Sequence, residues 1–156
     1  MHKKRLIFTL LYNDGYFILS RNFRQQRVGN TDWLQKNYNF SKIATAIDEL
    51  IILNVSNSMS ILDEFYFAVQ EIAKECFVPL ALGGGIRSVE HAASLFDNGA
   101  DKIVVNTLLE KGPDLVSELV EICGSQCVIG AIDYKQVNDS FLVAVEGGGT
   151  VATGPH

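Results

Sequence analysis

Short apolar runs rich in branched residues alternate along the chain with longer segments whose apolar positions recur at helical spacing. The runs are Leu6–Leu11, Leu50–Val55, Val78–Leu82, Lys102–Val105 and Cys127–Asp133. Between them the pattern predicts helices over Thr31–Ile47, Ile61–Glu75, Ser88–Asp97 and Pro113–Ile122. In the second of these, Ile61, Leu62, Phe65, Val69 and Ile72 fall on one face. Strands that are apolar on both faces and separated by single helices require a parallel sheet, because each right-handed crossover lays a helix over one face. The fold class is therefore α/β.

Periodicity alone does not choose between an open doubly wound sheet and a (βα)8 barrel of TIM type. A complete barrel takes ~250 residues, so 156 residues hold about half of one: strands one to five and a short segment after the fifth. After Asp133 the pattern changes to Tyr134-Lys-Gln-Val137, a polar Asn138-Asp-Ser140 turn and Phe141–Val145, which reads as a hairpin. The chain then runs through Glu146-Gly-Gly-Gly-Thr150 to His156 without a closing element. The expectation is one partial barrel domain over residues 1–156, cut short at its carboxyl end. Its first and fifth strands would be unpaired edges, which favour self-association.

Composition narrows the partners. A hydrophobic share of 47% with 20% charged residues is that of a globular chain. Thirteen basic against eighteen acidic residues, without a basic stripe, argue against nonspecific nucleic-acid or anionic-membrane binding. Any phosphate must be caught locally. Cys76, Cys123 and Cys127 form no metal or redox motif, and an odd number closes no disulfide framework, which fits the reducing cytoplasm. The basic start Met1-His-Lys-Lys-Arg5 leads into an apolar run that stops at Tyr12-Asn-Asp-Gly15, too short for a signal peptide or a membrane span. His2 and His156 are terminal and His91 falls in a helix, so no metal set emerges and no cofactor is expected.

In either architecture ligands gather at the carboxyl ends of the strands. There the chain places Asn13, Asn54, Gly83–Gly85, Asn106 with Thr107, and Asp133. Gly84 and Gly85, ahead of a helix that Ser88 can cap, let main-chain N–H groups approach an anion; a plain tight turn is the alternative. Asn106 and Thr107 add an amide and a hydroxyl beside them, or serve as caps. Asp133 closes an apolar strand, where lost solvation tunes a carboxylate for acid or base work, unless it is a cap or a partner of Lys135. Arg5, Glu49 and Lys102 open strands one, two and four and would meet at the opposite end, where a charged ring is most simply a solvated rim or a salt-bridge layer.

Lys4-Arg-Leu-Ile7, Asn13-Asp-Gly15, Asp48-Glu-Leu-Ile51, Leu82-Gly-Gly-Gly-Ile86, Gly99-Ala-Asp-Lys-Ile103, Asn106-Thr107, Gly124-Ser-Gln126 and Ala131-Ile-Asp133, in this order and spacing, resemble the cyclase subunit of imidazole glycerol phosphate synthase. The resemblance implies a (βα)8 barrel of two similar halves, each with a phosphate site, on which a glutaminase docks and sends ammonia through the barrel to the phosphorylated substrate. By position, Gly85, Asn106 and Thr107 fall on the first phosphate site, and Arg5, Glu49 and Lys102 on the charged ammonia gate. Asp101 falls near the glutaminase face, and Asp133 on one of two catalytic aspartates.

The chain departs from that pattern at three points. Leu11 stands at the place of the other catalytic aspartate, Leu19 at that of a basic loop residue, and Asn54 at that of an acidic strand-end residue. Leucine neither gives nor takes a proton. Relatives associated with surface-polysaccharide genes carry leucine there too and are thought to supply ammonia for amidination of a sugar. The resemblance therefore implies a cyclase-like synthase subunit using channelled ammonia. Two readings stand beside it: a noncatalytic scaffold that binds a phosphorylated ligand and docks a glutaminase, and an ammonia-delivering subunit for sugar amidination. A sugar-phosphate isomerase of the neighbouring barrel family would also want the acid missing at Leu11.

Overall fold

The computed structural model describes residues 4–56, 62–145 and 150–151. The elements in chain order are β1 (Ile7–Asn13), β2 (Tyr16–Arg21), β3 (Arg24–Gly29), α1 (Thr31–Asn37), α2 (Phe40–Ala44), β4 (Glu49–Asn54), α3 (Leu62–Ala73) and β5 (Leu80–Gly83). Next come α4 (Val89–Asp97), β6 (Lys102–Val105), α5 (Leu108–Lys111), α6 (Pro113–Cys123), β7 (Val128–Gly130), β8 (Asp133–Val137), β9 (Ser140–Val145) and β10 (Thr150–Val151).

Five strands form the parallel sheet predicted from the apolar runs, in the order β1-β4-β5-β6-β7. Strand, helix, strand in sequence order is the winding of a (βα) barrel, and the sheet stops at β7 without closing on itself. A separate antiparallel sheet, β8-β9-β10, contains the predicted hairpin.

Register sorts the side chains into two faces. Phe8, Leu10, Tyr12, Leu50, Ile52, Leu80, Leu82, Ile103 and Val105 lie under the helices and form the core with Phe65, Val69 and Ile72 of α3 and Leu95 of α4. Each such large apolar side chain contributes about 1.5–3 kcal/mol of transfer free energy on burial. The other face carries Ile7 and Glu49, Thr9 and Ile51, Leu11 and Leu53 as paired neighbours, continuing to Ala81, Gly83, Lys102, Val104 and Ile129. In a closed barrel this is the inner face. Here it is open along β1, where Ile7 and Thr9 are exposed.

Several local readings differ from the structure. The segment predicted as one helix over Thr31–Ile47 is two: Tyr38 is extended, and the Asn39 side chain starts α2 by accepting from the Lys42 amide. A hairpin, β2–β3, fills the stretch after Asp14-Gly15, and its turn residues Asn22 and Phe23 both have positive φ, 52° and 62°. That is the backbone of a tight twisted hairpin turn, which ordinarily announces itself by Asn-Gly. With phenylalanine at the second place the signal is lost. This hairpin also changes the expected edge, because β2 pairs with Leu11–Asn13 and leaves only the first part of β1 without a second strand. The fifth run is shorter than predicted: Ser125–Cys127 is a 3-10 turn, β7 spans three residues, and Asp133 opens β8 instead of ending β7. Ile61, Glu146–Gly149 and residues 152–156, including the end that sequence reads as cut short, lie outside the described residues.

Candidate functional site

At the amino ends of the strands, Glu49 begins β4 and Lys102 begins β6, both on the inner face. Glu49 is 2% exposed, and its carboxylate accepts from Lys102 Nζ at 2.9 and 3.0 Å and from Arg5 Nη2. The structure thus joins the three residues of the expected ring into one ion triad. A buried carboxylate is tolerated only with such partners.

Two aspartates fix the places of the triad. Asp48 Oδ2 accepts from the Leu6 amide at 2.8 Å while the Asp48 amide donates to the Leu6 carbonyl. Asp101 repeats the arrangement on Leu80: the Leu80 amide donates to Asp101 Oδ2 at 2.8 Å and the Asp101 amide to the Leu80 carbonyl. Each aspartate immediately precedes a triad residue, so the two-point clasp between strand starts sets where Glu49 and Lys102 point. Sequence reasoning placed Asp101 at a docking face and gave Asp48 no role. The repeated Asp-charged-apolar-apolar strand start was the available signal.

At the carboxyl ends, Gly84 and Gly85 follow β5 with φ of 107° and 63°. A Cβ on Gly84 would overlap the main-chain carbonyl of Asn54 at the end of β4, so the turn is pressed against its neighbour and only glycine fits. At Gly85 a Cβ would meet nothing within 4 Å, which leaves that main chain open to a ligand. Asn54 is held inside the neighbouring loop, its Oδ1 accepting from the Ser56 amide and hydroxyl at 3.0 and 2.6 Å.

One strand over, Asn106 donates through Nδ2 to the Ala131 carbonyl at 3.0 Å and to Asp133 Oδ2 at 3.2 Å. The two residues predicted for separate roles are therefore joined, and the amide orients the carboxylate. Thr107 precedes α5, its hydroxyl 3.5 Å from Asn106 Oδ1. Leu11, in the place where an acid was wanted, pairs with Leu53 on the inner face and with Ile18 of β2. Positive charge absent at Leu19 is present elsewhere on the same hairpin: Arg21 and Arg24 flank its turn, and Arg27 lies 4.5 Å over the Tyr16 ring. The Asn13 side chain donates to Gln25 and ties the hairpin to the end of β1.

His91 carries no sequence signal beyond its place inside a helical pattern. It stands in the first turn of α4, its amide donating to the capping Ser88 hydroxyl at 3.2 Å. The side chain is buried, and neither ring nitrogen has a hydrogen-bond partner. Burial pushes its pKa down; the Gly85 main chain favours a proton on the ring, and the Arg87 charge opposes it. Among the described residues no group of three or more His, Cys, Asp or Glu side chains is arranged to hold a metal ion, and no helix is long and apolar enough to cross a membrane.

The family profile described as histidine biosynthesis protein matches residues 19–154. The chain belongs to that family. Among its relatives, a provisionally named imidazole glycerol phosphate synthase subunit hisF2 of Parasynechococcus marenigrum is 45% identical over 148 residues, 95% of this chain and 55% of that protein. Imidazole glycerol phosphate synthase subunits HisF of Chlorobium phaeovibrioides and Chlorobium luteolum are 36% and 37% identical over 95% of this chain and 58% of theirs. The chain thus spans a little over half the length of these relatives, in agreement with the half barrel of the fold. The resemblance read from the motifs to the cyclase-subunit family is the one these matches support.

Proposed function

We propose that the chain supplies the phosphate-binding and ammonia-entry half of a cyclase-like subunit in a glutamine-dependent synthase of the imidazole glycerol phosphate type. The observation that carries the reading is the polarity of one sheet. Its amino ends hold the Arg5–Glu49–Lys102 triad, suited to gating a small neutral molecule, and its carboxyl ends hold the glycine turn and the Asn106–Asp133 pair. A glutaminase docked at the first end, beside Asp101, would deliver ammonia along the inner face to a phosphorylated acceptor at the second.

In this reading Gly84, Gly85 and Thr107 hold the phosphate through main-chain N–H groups and a hydroxyl. Asn106 sets the Asp133 carboxylate, which moves protons as general acid or base. Leu11 removes the second proton carrier, so the ring-closing reaction of the histidine pathway is impaired while ammonia entry is kept. That favours delivery of ammonia to another phosphorylated acceptor, such as a sugar in surface-polysaccharide synthesis, over ordinary cyclisation. A phosphate-binding docking scaffold without chemistry is the alternative, and the buried triad, superfluous to such a scaffold, weighs against it.

The site is tested by titrating inorganic phosphate into labelled protein and following amide resonances. Gly84, Gly85, Asn106 and Thr107 should shift together with one dissociation constant. Shifts confined to the β8–β9 hairpin or to the arginines of β2 and β3 would overturn the assignment.

A further inference from the structure

Arg21, Arg24 and Arg27 stand on the β2–β3 hairpin of a chain whose net charge is -5, and among the described residues none of them makes an ion pair. Register separates the three. Leu11 pairs with Ile18 and Ile18 with Arg27, so one cross-strand row on the inner face runs Leu11, Ile18, Arg27. Gln25, two residues before Arg27, shares that face, while Arg21 and Arg24 fall on the other side with Leu19 and Gln26. Two contacts fix the donors of the row. The Asn13 side chain, at the end of β1, donates to Gln25 Oε1, so the Gln25 amide turns its Nε2 donor away from Asn13. The Arg27 guanidinium lies 4.5 Å over the ring of Tyr16, which itself pairs with Asn13. A stacked guanidinium keeps its N–H edge free for an acceptor with two oxygens. Ile18 is buried and Leu11 half-buried, so the floor beside these donors is apolar.

We infer that Gln25 and Arg27, with Tyr16 as the platform for the guanidinium, form an oxyanion subsite beside Leu11 that binds a carboxylate or phosphate group of the acceptor. The subsite and the glycine turn lie two strands to either side of β1, so one phosphate does not occupy both. It also belongs to this half of the fold, apart from the phosphate site that the resemblance places in a second half. The inference rests on the proposed reading of these strand ends as the ligand side. It goes beyond that reading by saying what the Leu11 row does in place of proton transfer: its charged member is a cation, and a cation held over an apolar floor recognises an anionic group of the ligand.

The unaltered, nitrogen-labelled chain is titrated with acetate, with inorganic phosphate, and with sodium chloride at matched ionic strength. The Arg27 Nε and Gln25 Nε2 resonances should move together and saturate, with acetate if the group recognised is a carboxylate and with phosphate if it is a phosphoryl group. Arg27→Gln, at an exposed position, should weaken the binding read at Gln25 by about tenfold. Tyr16→Leu, which removes the platform and keeps the charge, should weaken it by about threefold. A response to chloride equal to that to acetate and phosphate, or Arg21 and Arg24 moving as far as Arg27, would show general screening and overturn the inference. The Gly84 and Gly85 amides, read in the phosphate titration, separate it from the reading it rests on. If they respond while Arg27 and Gln25 stay still in every titration, the subsite falls alone; if they are silent while Arg27 and Gln25 saturate, the phosphate turn falls alone.

Discussion

Glu49 shows how one side chain can be costly or cheap according to what remains around it. It is 2% exposed, whereas Lys102 and Arg5 are 25% and 51% exposed and reach water on their own. Replacing Lys102 with methionine leaves a buried carboxylate with Arg5 alone, so Lys102→Met should cost about 3 kcal/mol. Glu49→Met removes the buried charge and frees two cations that solvent can hydrate, and should cost under about 1 kcal/mol. The double variant should resemble the cheaper single one. Urea denaturation of the three proteins reads these differences directly. Equal losses for the two single variants would mean that the triad is a solvated rim, as its sequence positions alone allowed.

At the scale of elements, α4 links the glycine turn to the core. Ser88 caps it through the His91 amide, and Ala92 and Leu95 bury its inner face. Ser88→Ala should destabilise the chain by about 1 kcal/mol and raise hydrogen exchange in the first turn of α4 more than in α3 or α6; uniform acceleration would show that the cap acts only globally. The cap was legible in the sequence, as were the five parallel strands and the three long helices, because apolar period and capping residues act locally. What escaped depended on the tertiary frame. Phe23 occupies a left-handed position that its type disfavours, held there by the pairing of β2 with β1 and β3, with Lys135 Nζ 5.0 Å over its ring. The break at Tyr38 rests on an asparagine cap one residue later, inside what looks like continuous helix. Asp133 reads from sequence as the acid that ends the fifth strand, whereas it opens β8, and its orientation by Asn106 is a contact across 27 positions. Nothing local in the sequence could give it.

Seen as a whole, the molecule sets two polar groups at opposite ends of one sheet: an ion triad at the strand starts, and a glycine turn with a hydrogen-bonded carboxylate at the strand ends, which the proposed reading assigns to ammonia entry and to phosphate binding. The relatives are nearly twice as long, and the open inner face along β1 is where a second half of such a barrel belongs. Leu11 lies on that face, paired with Leu53, at the position on which the proposed loss of ring-closing chemistry turns. The most direct test is steady-state turnover of the aminoimidazole ribonucleotide substrate of the cyclase family by the full-length protein, with ammonium chloride as nitrogen donor, before and after Leu11→Asp. Loss of one placed proton carrier lowers rates by ~10²- to 10⁴-fold. The account predicts that the unaltered protein falls below a cyclase bearing both aspartates by that range and that Leu11→Asp recovers part of the difference; full cyclase turnover with Leu11 in place would contradict it.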